Sequence, residues 1–193
     1  MKTIAISGSP RENVGKRDAK ELRYEGKIPA VLYGGAAQLH FSVLITDLNA
    51  AIYTPEANFL EIDINGTKTR AIIKEAQYHP LTDLLLHVDF LQLFDEKEIT
   101  MEIPVKLAGT SPGVKMGGKL VQKLRKLRVK SLPKSMPQVV EVNIDTMEVG
   151  NLFRVRDLQK ADYVVTNIPE DTIVSVTMSR ALKQAETEAS KGK

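Results

Sequence analysis

His87-Val-Asp89 sits in an apolar run, Leu84-Leu-Leu-His-Val-Asp-Phe-Leu91, that reads as a strand. On a strand, residues two apart share a face, so an imidazole and a carboxylate would project side by side. Three chemistries use such a pair. H-x-D with a distant second histidine is the ligand pattern of non-haem iron sites, but that histidine normally follows the pair, and both His40 and His79 precede it. The two side chains can instead satisfy one another by a hydrogen bond, or together read the polar edge of a ligand. The missing third ligand disfavours metal, and none is expected.

A second candidate lies near the start. In Ile6-Ser-Gly-Ser-Pro-Arg11 an apolar strand runs into Gly8-Ser9-Pro10-Arg11, similar to the phosphate loop of a flavodoxin-like FMN reductase. That fold needs strand, helix and parallel strand in repeated succession. Here one short helix follows, and then an antiparallel hairpin. The simpler reading is a strand end with a turn that leaves Arg11 free to contact something else. No nucleophile elbow, Walker loop, H-E-x-x-H or paired carboxylates occur, so neither an enzyme nor a cofactor is expected.

The elements around these residues are mostly strands. Lys2–Ser7, Pro29–Tyr33 and Phe41–Ile45 read as short strands, with a helix over Arg17–Glu25 that turns Ala19 and Leu22 inward. Thr46 is placed to N-cap a helix over Asp47–Tyr53. Phe59-Leu-Glu-Ile-Asp-Ile and Thr67-Lys-Thr-Arg-Ala-Ile-Ile flank Asn65-Gly66, the preferred pair for a type I′ hairpin turn. His79-Pro80 reads as a turn. Charged residues after Phe94 mark a domain boundary at 93–97. Beyond it, turn signals at Ser111-Pro-Gly113, Gly117-Gly118, Pro133, Pro137 and Gly150 separate short β-type runs, the spacing of an all-β domain. The expected fold is mainly β with short helices: an N-terminal domain over 1–93, a β-rich domain over 94–180 and a polar tail over 181–193.

Composition narrows the function. The chain has 193 residues with no Cys and no Trp, which excludes disulfides, thiolate metal sites and thiol nucleophiles. No apolar run reaches membrane-spanning length and the N-terminus lacks a signal-peptide pattern, so a cytoplasmic location without membrane partner is expected. Of 27 Lys and Arg, eight fall within residues 115–134, a stretch without Asp or Glu. The rest of the molecule is acidic on balance. One concentrated basic stretch on such a chain points to a polyanion, or else is a solvated basic face.

The ordered set Gly15-Lys-Arg-Asp-Ala-Lys-Glu-Leu-Arg23, Gly26-Lys-Ile-Pro-Ala-Val-Leu-Tyr-Gly34, His79-Pro80 with His87-Val-Asp-Phe90, Ser-Pro-Gly-Val-Lys-Met-Gly-Gly118 and Val140-Glu-Val-Asn-Ile-Asp-Thr-Met-Glu-Val-Gly150 resembles a known family. It is that of the bacterial large-subunit ribosomal protein L-twenty-five, in its long two-domain form, also called the CTC or general-stress-protein family. The resemblance covers nearly the whole chain. It implies an N-terminal β-barrel that binds 5S rRNA at its internal loop E, followed by a second β domain, with no small-molecule substrate. Arg11, Lys16, Lys20, Tyr33, Lys74, His87 and Asp89 match positions at or near the RNA contact.

The residues fit that role. Arg11, Lys16, Arg17, Lys20 and Arg23 lie within a short span and can reach phosphates, which position a protein without specifying sequence. Tyr33, His87 and Asp89 offer a hydroxyl, a donor or acceptor, and an acceptor to base edges, and Lys74 can join them. Each also has a plainer reading: Tyr33 as a cap on the barrel core, Arg23 paired with Glu21 or Glu25. Lys20 stands where Arg is usual, Glu21 where a second Arg is common, Arg17 where a small residue is common, and Lys74 where relatives often have Gln. The basic run 115–134 is a candidate contact for 23S rRNA or neighbouring ribosomal proteins. A stress-associated factor that meets ribosomes only conditionally is the alternative within the same resemblance.

Overall fold

Ile4 and Ile6 alternate with exposed neighbours along β1 (Thr3–Pro10), and this alternation carries the strand straight through the Gly-Ser-Pro stretch. The turn expected at Gly8–Pro10 is therefore a strand. Gly8, Ser9 and Pro10 pair with Val43, Ser42 and Phe41. Gly8 is small for a packing reason, since a Cβ there would lie 2.6 Å from the Phe41 ring. The computed structural model describes residues 1–35, 37–158 and 163–179, so the polar tail expected at 181–193 lies outside the described residues.

After β1 come α1 (Lys16–Tyr24), β2 (Lys27–Tyr33), β3 (Leu39–Leu44), α2 (Ile45–Ile52), β4 (Phe59–Ile64), β5 (Thr67–Tyr78) and β6 (Leu85–Gln92). The six strands close into a barrel in the order β1-β3-β2-β6-β5-β4. Two seams are parallel, β1 with β4 and β2 with β6. The flavodoxin-like reading fails on this topology. The strand after α1 pairs with β3 and β6, and the only parallel neighbour of β1 is reached through two helices and two strands.

Inside the barrel, Phe41 and Phe90 are fully buried with ring centroids 5.6 Å apart. Leu32, Leu60 and Ile62 pack around them, as does Leu48 of α2. Each such side chain contributes about 1.5–3 kcal/mol on leaving water. The hairpin turn forms as its sequence demands: Asn65 and Gly66 take φ of 51° and 83°, and Asp63 Oδ1 accepts from the Gly66 N–H at 2.8 Å. Thr46 is not an N-cap. The helix begins one residue earlier, at Ile45, whose N–H donates to the Gly26 carbonyl at 3.1 Å, so backbone from another segment does the work of a cap.

The second half contains β7 (Ile99–Ala108), α3 (Pro112–Lys115), β8 (Lys119–Gln122), β9 (Lys126–Ser131), β10 (Val140–Asn143), β11 (Leu152–Arg154), β12 (Val164–Val165) and β13 (Thr172–Thr177). They form a four-stranded sheet, β10-β7-β9-β12, and a three-stranded sheet, β11-β13-β8. The chain groups into two compact units, residues 1–101 with 132–136, and 102–131 with 137–193. The Ser-Pro-Gly-Val-Lys-Met-Gly-Gly stretch is a packing device in the second unit. Ser111 Oγ donates to the Met147 carbonyl, and the Gly113 N–H donates to the same oxygen at 3.1 Å. A Cβ on Gly113 would meet the backbone of Glu148 and Val149 at 2.6 Å.

Candidate nucleic-acid interface

With Ile28, Ala30 and Leu32 turned into the barrel, alternation sends Pro29, Val31 and Tyr33 of β2 to its outer face. Pro29 and Val31 are nonetheless buried, because α1 lies across β2. Register assembles the rest of the surface. Val31 stands opposite His40 on one side and Asp89 on the other, Asp89 stands opposite Glu75, and His87 opposite Gln77. His87 and Asp89 thus share the outer face with His40, Glu75 and Gln77.

Two irregularities shape this face. Between the pairs Gln77–His87 and Tyr78–Leu85, β6 carries one extra residue, Leu86. The Leu86 carbonyl accepts from Arg23 Nη1 at 3.1 Å. Arg23 therefore ties the last turn of α1 to the barrel, in place of the pairing with Glu21 or Glu25 that its neighbours offer. Between Ile73–Phe90 and Glu75–Asp89, β5 carries its own extra residue, Lys74, which is exposed.

The predicted cations divide into two kinds. Arg11 is held rather than offered: its side chain is only 8% exposed and its guanidinium forks onto Asp18, with a further bond to the Asn13 carbonyl at 3.4 Å. Arg11, read from the sequence as free to contact a partner, is thus a clamp across the segment entering α1, because Asp18 lies in the first turn of the helix. Arg17 is fully solvated and pairs with Glu21 at 3.1 Å, a contact worth about 0.3–0.5 kcal/mol. Lys20 leans on the Tyr24 ring, 5.8 Å from its centroid. Lys16 and Lys74 are exposed and make no ion pair among the described residues.

His87 Nδ1 and Asp89 Oδ1 are 2.7 Å apart, with both side chains about a third exposed. A carboxylate at Nδ1 favours the Nδ1–H tautomer of a neutral imidazole, which leaves Nε2 as an acceptor. The pair then presents acceptors, matched to amino or hydroxyl donors on a ligand. Burial, and after it the charges of Asp89 and Glu75, raise the pKa of the Tyr33 phenol above the ordinary tyrosine value. Tyr33 thus keeps its proton at neutral pH and can donate beside those acceptors.

A cavity of about 350 Å³ opens between the segment entering α1 and the barrel, lined by Arg11, Ala19, Arg23, Gln38, His40 and His87 among others. Arg11, Arg23 and His87 are brought together there, Tyr33 and Asp89 lie on the adjoining strands, and Lys16, Lys20 and Lys74 are left on exposed positions. Gln38, His40, Glu75 and Gln77 were not expected at the site. Alternation within β3 puts His40 opposite in sense to Phe41, but only the pairing with Val31 shows which surface it joins. Among the described residues no three His, Asp or Glu gather as a metal-binding group, and no helix is long and apolar enough to cross a membrane.

Residues 6–90 match the model of the Ribosomal L25p family, and residues 98–180 that of the Ribosomal protein TL5, C-terminal domain. The chain is 42% identical to the Large ribosomal subunit protein bL25 of Cytophaga hutchinsonii, covering 99% of this chain and 100% of that one. Its identity to the protein of the same name from Amoebophilus asiaticus is 40%, covering 100% and 99%. For that of Porphyromonas gingivalis it is 39%, covering 96% and 97%.

Proposed function

The chain belongs to the ribosomal L25p family, joined to a TL5-type second domain, and from that premise we propose that it is a structural constituent of the large ribosomal subunit whose barrel domain, residues 1–93, binds 5S rRNA at loop E. Family members are structural proteins of the ribosome rather than enzymes. Ribosome association places the chain in the cytoplasm. The observation that carries the 5S reading is the outer barrel face, where the pair His87–Asp89 stands near the donor Tyr33.

Helical RNA offers proteins a wide, shallow groove with 2′-hydroxyls and base edges, bordered by phosphates. The acceptors of His87 and Asp89 suit 2′-hydroxyl and amino donors in that groove. Lys16, Lys20 and Lys74 suit the phosphates beside it. Arg17 releases its solvated pair with Glu21 at little cost, and joins them. Arg11 and Arg23 hold α1 so that these contacts keep their spacing.

Binding to 5S rRNA over a salt series, with a loop-E-altered RNA as control, tests the proposal. Affinity is expected to fall with salt and to be lost with the altered loop. Asp89→Ala weakens binding at unchanged salt slope, whereas Lys16→Ala lowers the slope by about 1. Equal binding of both RNAs removes the reading role from this face.

A further inference from the structure

The second unit carries a different basic surface. Along β9 the chain alternates: Leu127, Val129 and Ser131 are buried, while Lys126, Arg128 and Lys130 are exposed. Alternate strand residues stand about 6.6–6.8 Å apart, so these cations form an evenly spaced outward row. Upstream, Lys115, Lys119, Lys123 and Arg125 are exposed as well. Lys115, Lys119, Lys123, Arg125 and Lys126 make no ion pair among the described residues. Arg128 reaches Glu102 only at 3.7 Å, with both side chains more than half exposed. Lys134, contiguous with the run in sequence, belongs to the other unit: residues 132–136 group with the first, where Lys134 lies 3.7 Å from Asp95.

Five cations without a carboxylate partner on one short stretch repel one another, and a solvated face gains nothing from such a concentration. A partner of dense negative charge relieves that repulsion. Residues 115–131 contain no Phe, Tyr, Trp or His, so this surface has no ring on which to stack an unpaired base. It also lacks Asp, Glu and Asn to read base edges, with Gln122 directed instead to the carbonyls of Val105 and Leu124 at 3.3 and 3.2 Å. What remains is charge along β8, β9 and the turn between them, which suits a sugar-phosphate backbone in a regular helix.

We propose that the segment from the end of α3 through β9, residues 115–130, is a second RNA site, which binds the backbone of double-helical RNA without regard to sequence. It is separate in residues and chemistry from the barrel face, and stands whether or not that face reads loop E.

The test uses the full chain with three exposed cations neutralised together, Lys123→Gln, Arg125→Gln and Lys126→Gln, and as probe a mixed-sequence RNA duplex that lacks loop E. The parent is expected to bind the duplex with a steep salt dependence. The triple variant should bind about tenfold or more weakly at low salt, with a log–log slope shallower by about 2–3 units. The charge-keeping variant Lys123→Arg, Arg125→Lys and Lys126→Arg should retain binding. Thermal unfolding of each variant establishes that it is folded. Duplex binding by the triple variant with the parent's slope overturns the proposal. A parent that binds polyglutamate but not the duplex overturns it too, in favour of an acidic protein.

Discussion

The barrel and the β8–β9 segment both carry many cations, yet they dispose of them in opposite ways. In the barrel unit, Arg11 is clamped by Asp18 and Arg23 by the Leu86 carbonyl, while Arg17, Lys68 and Arg70 pair at the surface with Glu21, Glu61 and Asp95. The first two partners fix geometry, and the carboxylates of the surface pairs offset part of the positive charge. Along β8–β9 most cations have no carboxylate beside them, so the field is strong and the side-chain positions are loose. A face that must discriminate needs held groups, because each misplaced donor or acceptor forfeits its bond. A face that only attracts a polyanion needs charge. On the proposals above, specificity resides in the first region and sequence-independent affinity in the second.

The largest expected effect comes from removing the barrel's support. Phe41→Ala deletes a fully buried ring that packs against Phe90 and over Gly8, and should cost about 3–5 kcal/mol. Urea titration measures the loss. If the two regions act separately, the variant loses discrimination between native and loop-E-altered 5S rRNA well before it loses the salt-steep component of duplex binding. Simultaneous loss of both would merge the two regions into one functional surface.

Next comes the converse. Gly113→Ala drives a methyl group to within 2.6 Å of backbone atoms of Glu148 and Val149, which cannot yield as a flexible side chain would. Overpacking of this kind costs about 1–3 kcal/mol. The expected result is a lowered urea midpoint and weaker duplex binding, with loop-E discrimination intact.

Asp18→Ala sharpens the contrast within the barrel. It leaves Arg11, a nearly buried cation, with only the distant Asn13 carbonyl. Because Asp18 itself is about a third exposed, the cost is set at about 1–2 kcal/mol, between surface and buried pairs. Weaker 5S rRNA binding with an undiminished salt slope would mark Asp18 as a positioning residue. A steeper slope would mean that released Arg11 has become a phosphate contact.

What the sequence made legible follows the range of the interactions. The Asn65-Gly66 turn needs only its own φ angles, and β9's alternation only its own residues, so both can be read locally. The family motifs likewise brought the barrel and the second β domain within reach. Gly8 misled because the ring that requires a glycine there lies at Phe41, across a strand pair. Thr46 misled because Gly26 supplies the cap. Arg11 and Arg23 were legible as basic and near the site, but their restraint depends on Asp18 and on a bulge at Leu86 that no local pattern announces. His40 and Glu75 join the face only through register.

The smallest effect is the most specific probe of that register. Tyr33 and Asp89 come from different strands, and the phenol's pKa is raised by burial first, then by the charges of Asp89 and Glu75. Stability tied to this phenol is full below the ordinary tyrosine value and is lost as pH rises through the higher folded-state value. Asp89→Asn removes one negative charge while keeping the side chain's size. The Tyr33 phenol should then titrate at lower pH than in the parent, though still above ordinary tyrosine because burial and Glu75 remain. Ultraviolet phenolate absorbance, with Tyr33→Phe subtracted to isolate one of five tyrosines, reads the shift directly. No shift would mean that Asp89 does not face Tyr33, and the donor–acceptor set of the barrel would have to be drawn without one of them. A shift with unaltered 5S rRNA binding would leave the geometry standing and remove Asp89 from recognition.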